Sequence, residues 1–265
     1  MYFLGVICVL VIGSYYFKRT IWFCLKCSLF YLCLLAMSVI VVVWSLLTRC
    51  GRTTKNYRFF IWGCRNVSAI YGWKYIVTGR RYIETDDPFI AVVNHQSGLD
   101  MLCIAELWGN KPYSNTLIAK HTLLYYGVFG AASYLCNTLS IHRNNLNKAV
   151  AQMKSMREEI ICKKLKVFVF PEGRRNRSEN LLPFKKGVFH LAVDAQVSIV
   201  PIVISSLKPL YHKEEQRLDS GFITMTCLPP VSTRGLSKND IPELMESVRS
   251  SMIKTFNNTS KKRNV

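Results

Sequence analysis

The chain has 265 residues, half of them hydrophobic, and a formal net charge of +19. That length holds one substantial domain with an appendage rather than two large domains. So large a positive charge asks for an anionic partner. No Asp or Glu precedes Glu84, while Lys18, Arg19, Lys26, Arg49, Arg52 and Arg58 already stand in the same stretch. A front end both wholly basic and strongly apolar points to a phospholipid surface. No nucleic-acid-binding module is recognisable, so nucleic acid is not expected as a partner. Ten cysteines are scattered along the chain. Cys24 and Cys27 form a lone C-x-x-C within an apolar segment, which fits small buried hydrophobes better than zinc or redox chemistry. No metal site is expected.

The first 17 residues are uncharged and apolar, Lys18, Arg19 and Thr20 interrupt, and Ile21 to Leu47 resumes with Lys26 as its one charge. The second segment exceeds the roughly 20 residues that cross a bilayer, and the first is near the short limit of about 17. A membrane-embedded helical hairpin is expected over 1–48, either spanning or dipping into one leaflet, with Lys26 snorkelling to the interface. A signal peptide is disfavoured, because the basic n-region is missing and a second apolar segment follows at once. The basic cluster Arg49 to Arg81 would hold the remaining domain, 49–265, on the cytosolic side.

From Phe89 the pattern becomes α/β. Phe89 to Val93, Val167 to Phe170 and Ile199 to Ile204 are short apolar runs suited to buried strands, and Phe222 to Leu228 is a fourth candidate. Pro201 argues for an edge strand or a bulge. Ala149, Met153, Met156 and Ile160 recur at helical spacing. Asp240, with Glu243 three residues on, suggests the N-cap of a helix through Leu244, Val248, Met252 and Phe256.

Two constellations directly follow buried strands. In Asn94-His95-Gln96-Ser97-Gly98-Leu99-Asp100, a turn at Ser97-Gly98 would let Asp100 reach back to the imidazole. The carboxylate would set the tautomer and leave the other ring nitrogen free to take a proton. The competing reading is a polar loop with Asp100 as a helix cap. In Phe170-Pro171-Glu172-Gly173-Arg174-Arg175-Asn176-Arg177, glycine permits a tight turn and close ligand approach, and the arginines offer bidentate donors to a phosphate. The alternative there is a solvated basic turn. A third stretch, from Lys120 through Gly127 and Gly130 to Arg143, is apolar, aromatic and bracketed by cations. It fits either the lining of an acyl channel or a core helix with glycine packing contacts.

Together these blocks resemble the 1-acylglycerol-3-phosphate O-acyltransferases. NHQSGLD at 94–100 is similar to the family's NHxSxxD block, and FPEGRRNRS at 170–178 to its FPEGTR block. Residues 120–143 look like the arginine-ending second block, and VSIVPIV at 197–203 like the fourth. Arg174 stands where the family usually has Thr, Ser198 where it often has Pro, and Asn137 and Ser140 where Gly and Phe are usual. The resemblance implies a mixed β-sheet flanked by helices, the glycerolipid acyltransferase fold, with the hairpin at its N-terminus. It implies acyl transfer from acyl-coenzyme A to the sn-2 hydroxyl of lysophosphatidic acid, with no other cofactor. His95 and Asp100 are then the catalytic pair. Glu172, Gly173, Arg174, Arg175, Lys120 and Arg143 are the substrate-binding residues, Arg175 holding the acceptor phosphate. An endoplasmic-reticulum location is implied by the family. Another acceptor, or a noncatalytic lipid-binding module, is the competing function.

Overall fold

The computed structural model describes residues 2–109, 114–142, 146–176, 178 and 180–261, with side chains from residue 17 onward apart from those of 146–149 and 261. It opens with α1 (Tyr2–Thr48) and α2 (Tyr57–Ile70), followed by β1 (Trp73–Thr78), β2 (Phe89–Val93) and α3 (Asp100–Trp108). Next come β3 (Asn115–Lys120), α4 (Gly127–Leu135), β4 (Leu139–Ile141), α5 (Leu146–Cys162) and β5 (Lys166–Val169). The last part holds α6 (Gly187–Ala195), β6 (Ser198–Ile204), a small hairpin of β7 (Tyr211–His212) and β8 (Arg217–Leu218), β9 (Gly221–Cys227) and α7 (Ile241–Lys261).

Seven strands form one sheet in the order β1-β9-β6-β2-β5-β3-β4. Every neighbouring pair is parallel except β6 with β9. The expected mixed sheet flanked by helices is therefore present. Its central strands are apolar without alternation because both faces are covered. In β2, Phe89, Ala91 and Val93 pack toward α1, α2 and α3, while Ile90 and Val92 pack toward α5, α6 and α7. Val200, Ile202 and Ile204 of β6 take the first side, and Ile199 and Val203 the second. The periodicity noted in α5 and α7 is the covering face of those helices: Met156, Ile160, Leu244, Val248, Met252 and Phe256 are all buried against the second side.

Three local expectations are corrected or narrowed. The hairpin is a single helix, α1, running unbroken through Lys18, Arg19 and Thr20. None of those residues is Pro or Gly, so they add polarity without breaking the backbone. At 1.5 Å per residue α1 extends about 70 Å, over twice the roughly 30 Å of a hydrocarbon core. Pro201 lies in an interior strand rather than at an edge, and the bulge is the alternative that holds: the three steps from Ile199 to Ile202 face four from Cys227 to Val231. The Pro201 carbonyl accepts from the Leu228 N–H at 2.8 Å, so its ring nitrogen faces the same side. There the β9 ladder has ended at Ile202 opposite Cys227, and the next pairing is Ile199 with Val231. The missing N–H thus falls in a gap between ladder bonds. The α7 cap sits earlier than expected: Ser237 caps a 3-10 turn over Lys238–Asp240, and its N–H donates to Asp240 Oδ2 at 2.7 Å.

The outer face of α1 stays apolar and uncovered. Trp22, Leu25, Tyr31, Leu32, Leu46 and Leu47 are exposed, whereas Phe30, Met37 and Val41 are buried against the domain. Residues Phe17–Thr48 are long and apolar enough to cross a membrane. Cys24 is exposed on this helix and Cys27 half-buried, so the C-x-x-C is not fully buried as expected. Among the described residues every cysteine is free and no group of three potential ligands could hold a metal ion.

Candidate active site

Strand β2 lies between β5 and β6 and runs parallel to both, with Val92 opposite Val169 and Val93 opposite Ile202. Three parallel strands therefore end side by side, the place where open α/β sheets assemble their sites. The loop after β2 carries His95, the loop after β5 carries Glu172 to Arg175, and the loop after β6 begins at Ser205. Two sequence blocks far apart in the chain meet at this edge.

His95 Nδ1 lies 2.7 Å from Asp100 Oδ2. The turn between them is made by the chain's own polar groups. Ser97 Oγ accepts from the Leu99 N–H at 3.0 Å, and the N–H groups of Gln96 and Ser97 donate to Asp100 Oδ2 at 2.6 and 3.0 Å. Asp100 is the first residue of α3 and is 0% exposed. Its carboxylate faces two backbone donors and the positive end of a helix dipole, all complementary to an acceptor. With the carboxylate accepting at Nδ1, the lone pair of the imidazole is at Nε2. The imidazole stacks on Phe170 at 3.9 Å between ring centroids and 15° between planes. Two residues thus fix the ring, Asp100 at the start of α3 by hydrogen bond and Phe170 after β5 by contact.

Glu172, expected among the substrate contacts, is turned inward and only 3% exposed. Oε1 accepts from the His95 N–H at 2.8 Å and Oε2 from the Leu182 N–H at 2.9 Å. Burial pushes its carboxyl above the usual carboxylate range, and the two backbone donors oppose that rise. The Asn176 N–H returns a hydrogen bond to the His95 carbonyl at 2.8 Å. Gly173 takes φ +72°, so the turn after Glu172 needs its missing side chain.

Two further residues had no assigned role in the sequence. The Asn94 amide bridges to Ile204, giving Nδ2–H to its carbonyl at 2.9 Å and taking its N–H at 2.8 Å. Gln96 donates to the Ser205 carbonyl at 3.0 Å and accepts from the Leu207 N–H at 2.8 Å. Both tie the His95 loop to the end of β6. A polar residue placed directly after a buried strand was the available signal; its distant partners were not visible.

Arg174 and Arg175 are exposed, and neither forms a hydrogen bond or ion pair among the described residues. Arg175 lies over Gly98: a methyl group on Gly98 would sit 3.6 Å from Arg175 Nη2 and 3.8 Å from the Tyr31 hydroxyl. No sequence signal announced Tyr31, which α1 delivers from outside the domain. Lys120 is exposed at the end of β3, two strands from β2 and so about 10 Å across the same edge. Arg143 lies outside the described residues. Between them, the third stretch is a 3-10 turn, α4 and β4. A Cβ on Gly130 would meet the Leu124 carbonyl oxygen at 2.2 Å, the close packing of the core-helix reading. Tyr125 and Tyr126 remain exposed.

The Acyltransferase family matches residues 74–205, the span that carries both loops. Human 1-acyl-sn-glycerol-3-phosphate acyltransferase alpha is 39% identical over 210 residues, 79% of this chain and 73% of that protein. The human beta protein is 35% identical over 244 residues, 92% of this chain and 87% of that one. The chain belongs to the 1-acyl-sn-glycerol-3-phosphate acyltransferase family. A crystal structure of the 1-acyl-sn-glycerophosphate acyltransferase PlsC from Thermotoga maritima shares the fold, with a TM-score of 0.67 and 22% identity over 90% of this chain and 98% of that one.

Within this acyltransferase family two unusual residues have local reasons. Asn137 has φ +62°, a left-handed conformation that Asn tolerates better than most residues, which explains Asn in a position where Gly is usual. Ser140 Oγ lies 3.2 Å from His121 Nδ1, so a hydroxyl there has a partner. Nothing in the structure explains arginine at 174.

Proposed function

We propose that this acyltransferase moves an acyl chain from acyl-coenzyme A to the sn-2 hydroxyl of lysophosphatidic acid, forming phosphatidic acid. The observation that carries the reading is the His95–Asp100 contact at 2.7 Å, at the rim of three parallel strands. His95 Nε2 takes the hydroxyl proton as general base, and Asp100 orients the ring and stabilises the imidazolium. The acceptor oxygen attacks the thioester carbonyl directly, the tetrahedral intermediate collapses, and the coenzyme A thiolate leaves and takes up the proton. Ser97 is no covalent relay, since its Oγ is engaged by the Leu99 N–H at 3.0 Å and it is buried. Arg175, poised over Gly98, binds the acceptor phosphate as a bidentate donor. Lys120 and Arg143 supply further positive charge.

The uncovered face of α1 and the basic front end hold the site at the depth where an embedded lysolipid meets a soluble thioester. The domain faces the cytosol, on the endoplasmic reticulum. The test is transfer from labelled oleoyl-coenzyme A by purified protein offered a panel of lysophospholipids. Phosphatidic acid formed from lysophosphatidic acid is the expected product. Turnover with a different acceptor alone would keep the chemistry and overturn the acceptor.

A further inference from the structure

Two openings lie between the His95 loop, α1 and the β7–β8 hairpin. The smaller, about 40 Å³, is walled by Gln96 and Ser97 on one side and by Lys208, Tyr211 and Lys213 on the other. The larger, about 370 Å³, separates α1 from the β8 strand. Arg19, Trp22, Phe23 and Lys26 line it from the helix, facing Arg217 and Asp219. Phe23 of the second opening stacks on Tyr211 of the first, with centroids 6.2 Å apart and planes at 14°. One aromatic pair therefore joins the two into a groove that starts at the His95 loop. On α1 it is lined from Lys26 to Arg19, a rise of about 10 Å along the helix.

The groove is long, narrow and rich in available cations. The side chains of Arg19 and Lys213 form no hydrogen bond or ion pair among the described residues. Lys26 Nζ donates to the Leu218 carbonyl at 2.6 Å, leaving two of its three donors. The cations lining the two openings, Arg19, Lys26, Lys208, Lys213 and Arg217, outnumber the carboxylates, Glu214 and Asp219, although Arg217 is itself paired with Glu215 at 3.2 Å. Trp22 is 64% exposed, an indole face with nothing stacked on it among the described residues. An anionic, extended ligand carrying an aromatic ring matches this set.

We infer that the groove between α1 and the β7–β8 hairpin holds the nucleotide end of the acyl donor. The phosphates of coenzyme A lie against Arg19, Lys26 and Lys213, and the adenine lies on Trp22. The pantetheine arm passes Tyr211 to bring the thioester to the His95 loop. This rests on acyl-coenzyme A being the donor. The acceptor phosphate then lies at Arg175, and the donor phosphates lie between the β7–β8 hairpin and the Arg19–Lys26 segment of α1. The same assignment sets the Arg19–Lys26 segment at the aqueous surface, so α1 lies along the interface here instead of crossing it.

The test measures adenosine 3′,5′-bisphosphate binding calorimetrically to the full chain in detergent, without turnover. The double variant Arg19→Gln/Lys213→Gln and the single variant Trp22→Ala are compared with wild type. The double variant is expected to bind roughly tenfold more weakly and Trp22→Ala several-fold more weakly, with unchanged melting. In assays the KM for acyl-coenzyme A should rise in step while that for lysophosphatidic acid stays level. No nucleotide binding by wild type, or equal binding by all three proteins, overturns the inference. So does intact nucleotide binding with lost affinity for phosphatidylserine vesicles, which would make the groove a lipid headgroup site. If the nucleotide binds as expected but wild type transfers nothing from acyl-coenzyme A, the groove stands and the donor reading fails.

Discussion

Glu172 holds His95 by its backbone: Oε1 accepts the His95 N–H at 2.8 Å across 77 residues of chain. The other oxygen ties in Leu182 at 2.9 Å. One buried carboxylate therefore sets the spacing between the loop that carries the imidazole and the loop that carries Arg175.

Glu172→Gln should damage both fold and activity. A glutamine oxygen can accept one of the two N–H groups, but its amide nitrogen would face the other, donor against donor. Leaving a buried donor unpaired costs about 1–3 kcal/mol, so thermal melting should fall by several degrees. Melting equal to wild type with full turnover would show that the bridge is dispensable.

The same carboxylate gives a pH dependence with a definite sign. Its folded pKa is raised by burial, so the folded state binds more proton than the unfolded state between the ordinary and the raised values. The slope of stability with pH is then negative: this group's contribution is full below the ordinary glutamate pKa and is lost as pH rises through the raised one. Denaturant titrations of wild type and Glu172→Gln across the mildly acidic range should show the gap narrowing as pH increases. A gap that widens would mean the opposite shift.

His95→Ala should abolish acyl transfer by about 10²–10⁴-fold while the circular dichroism melt stays near wild type. Asp100→Asn should also lose activity strongly: its amide oxygen can take the Oδ2 place and keep all three N–H donors, but a neutral amide cannot stabilise the imidazolium, and its NH2 would fill the buried, partnerless Oδ1 place. Near-normal turnover in either variant sinks the general-base mechanism.

Arg175→Ala should raise the KM for lysophosphatidic acid roughly tenfold with a smaller change in kcat. Arg175→Lys should recover this only in part, as an ammonium lacks the planar bidentate fork. A selective rise in the KM of the acyl donor instead would move Arg175 to the other substrate.

Gly130→Ala should destabilise by about 1–3 kcal/mol, since its Cβ would press on the Leu124 carbonyl oxygen from 2.2 Å. Neither atom belongs to a flexible side chain. A melting temperature equal to wild type would mean that α4 shifts freely over the preceding turn.

What the sequence determined by itself was local. An apolar run such as FIAVV forms a strand buried on both faces, because uninterrupted β-branched and aromatic residues have no polar side to show water. Ser97 and Gly98 between His95 and Asp100 permit a turn, since a hydroxyl and a missing side chain are what a tight reversal uses. Only the tertiary structure decided which ends meet. The parallel order β6-β2-β5 puts residues 95, 172 and 204 side by side, and strand order depends on packing across the whole sheet. It turned Glu172 inward, since its partners are backbone amides that no side-chain pattern reveals. It kept α1 whole through Lys18 to Thr20, because polarity marks a water-facing turn but does not break helical hydrogen bonds. And it carried Tyr31 over Gly98, a contact made by packing a long apolar helix against a domain.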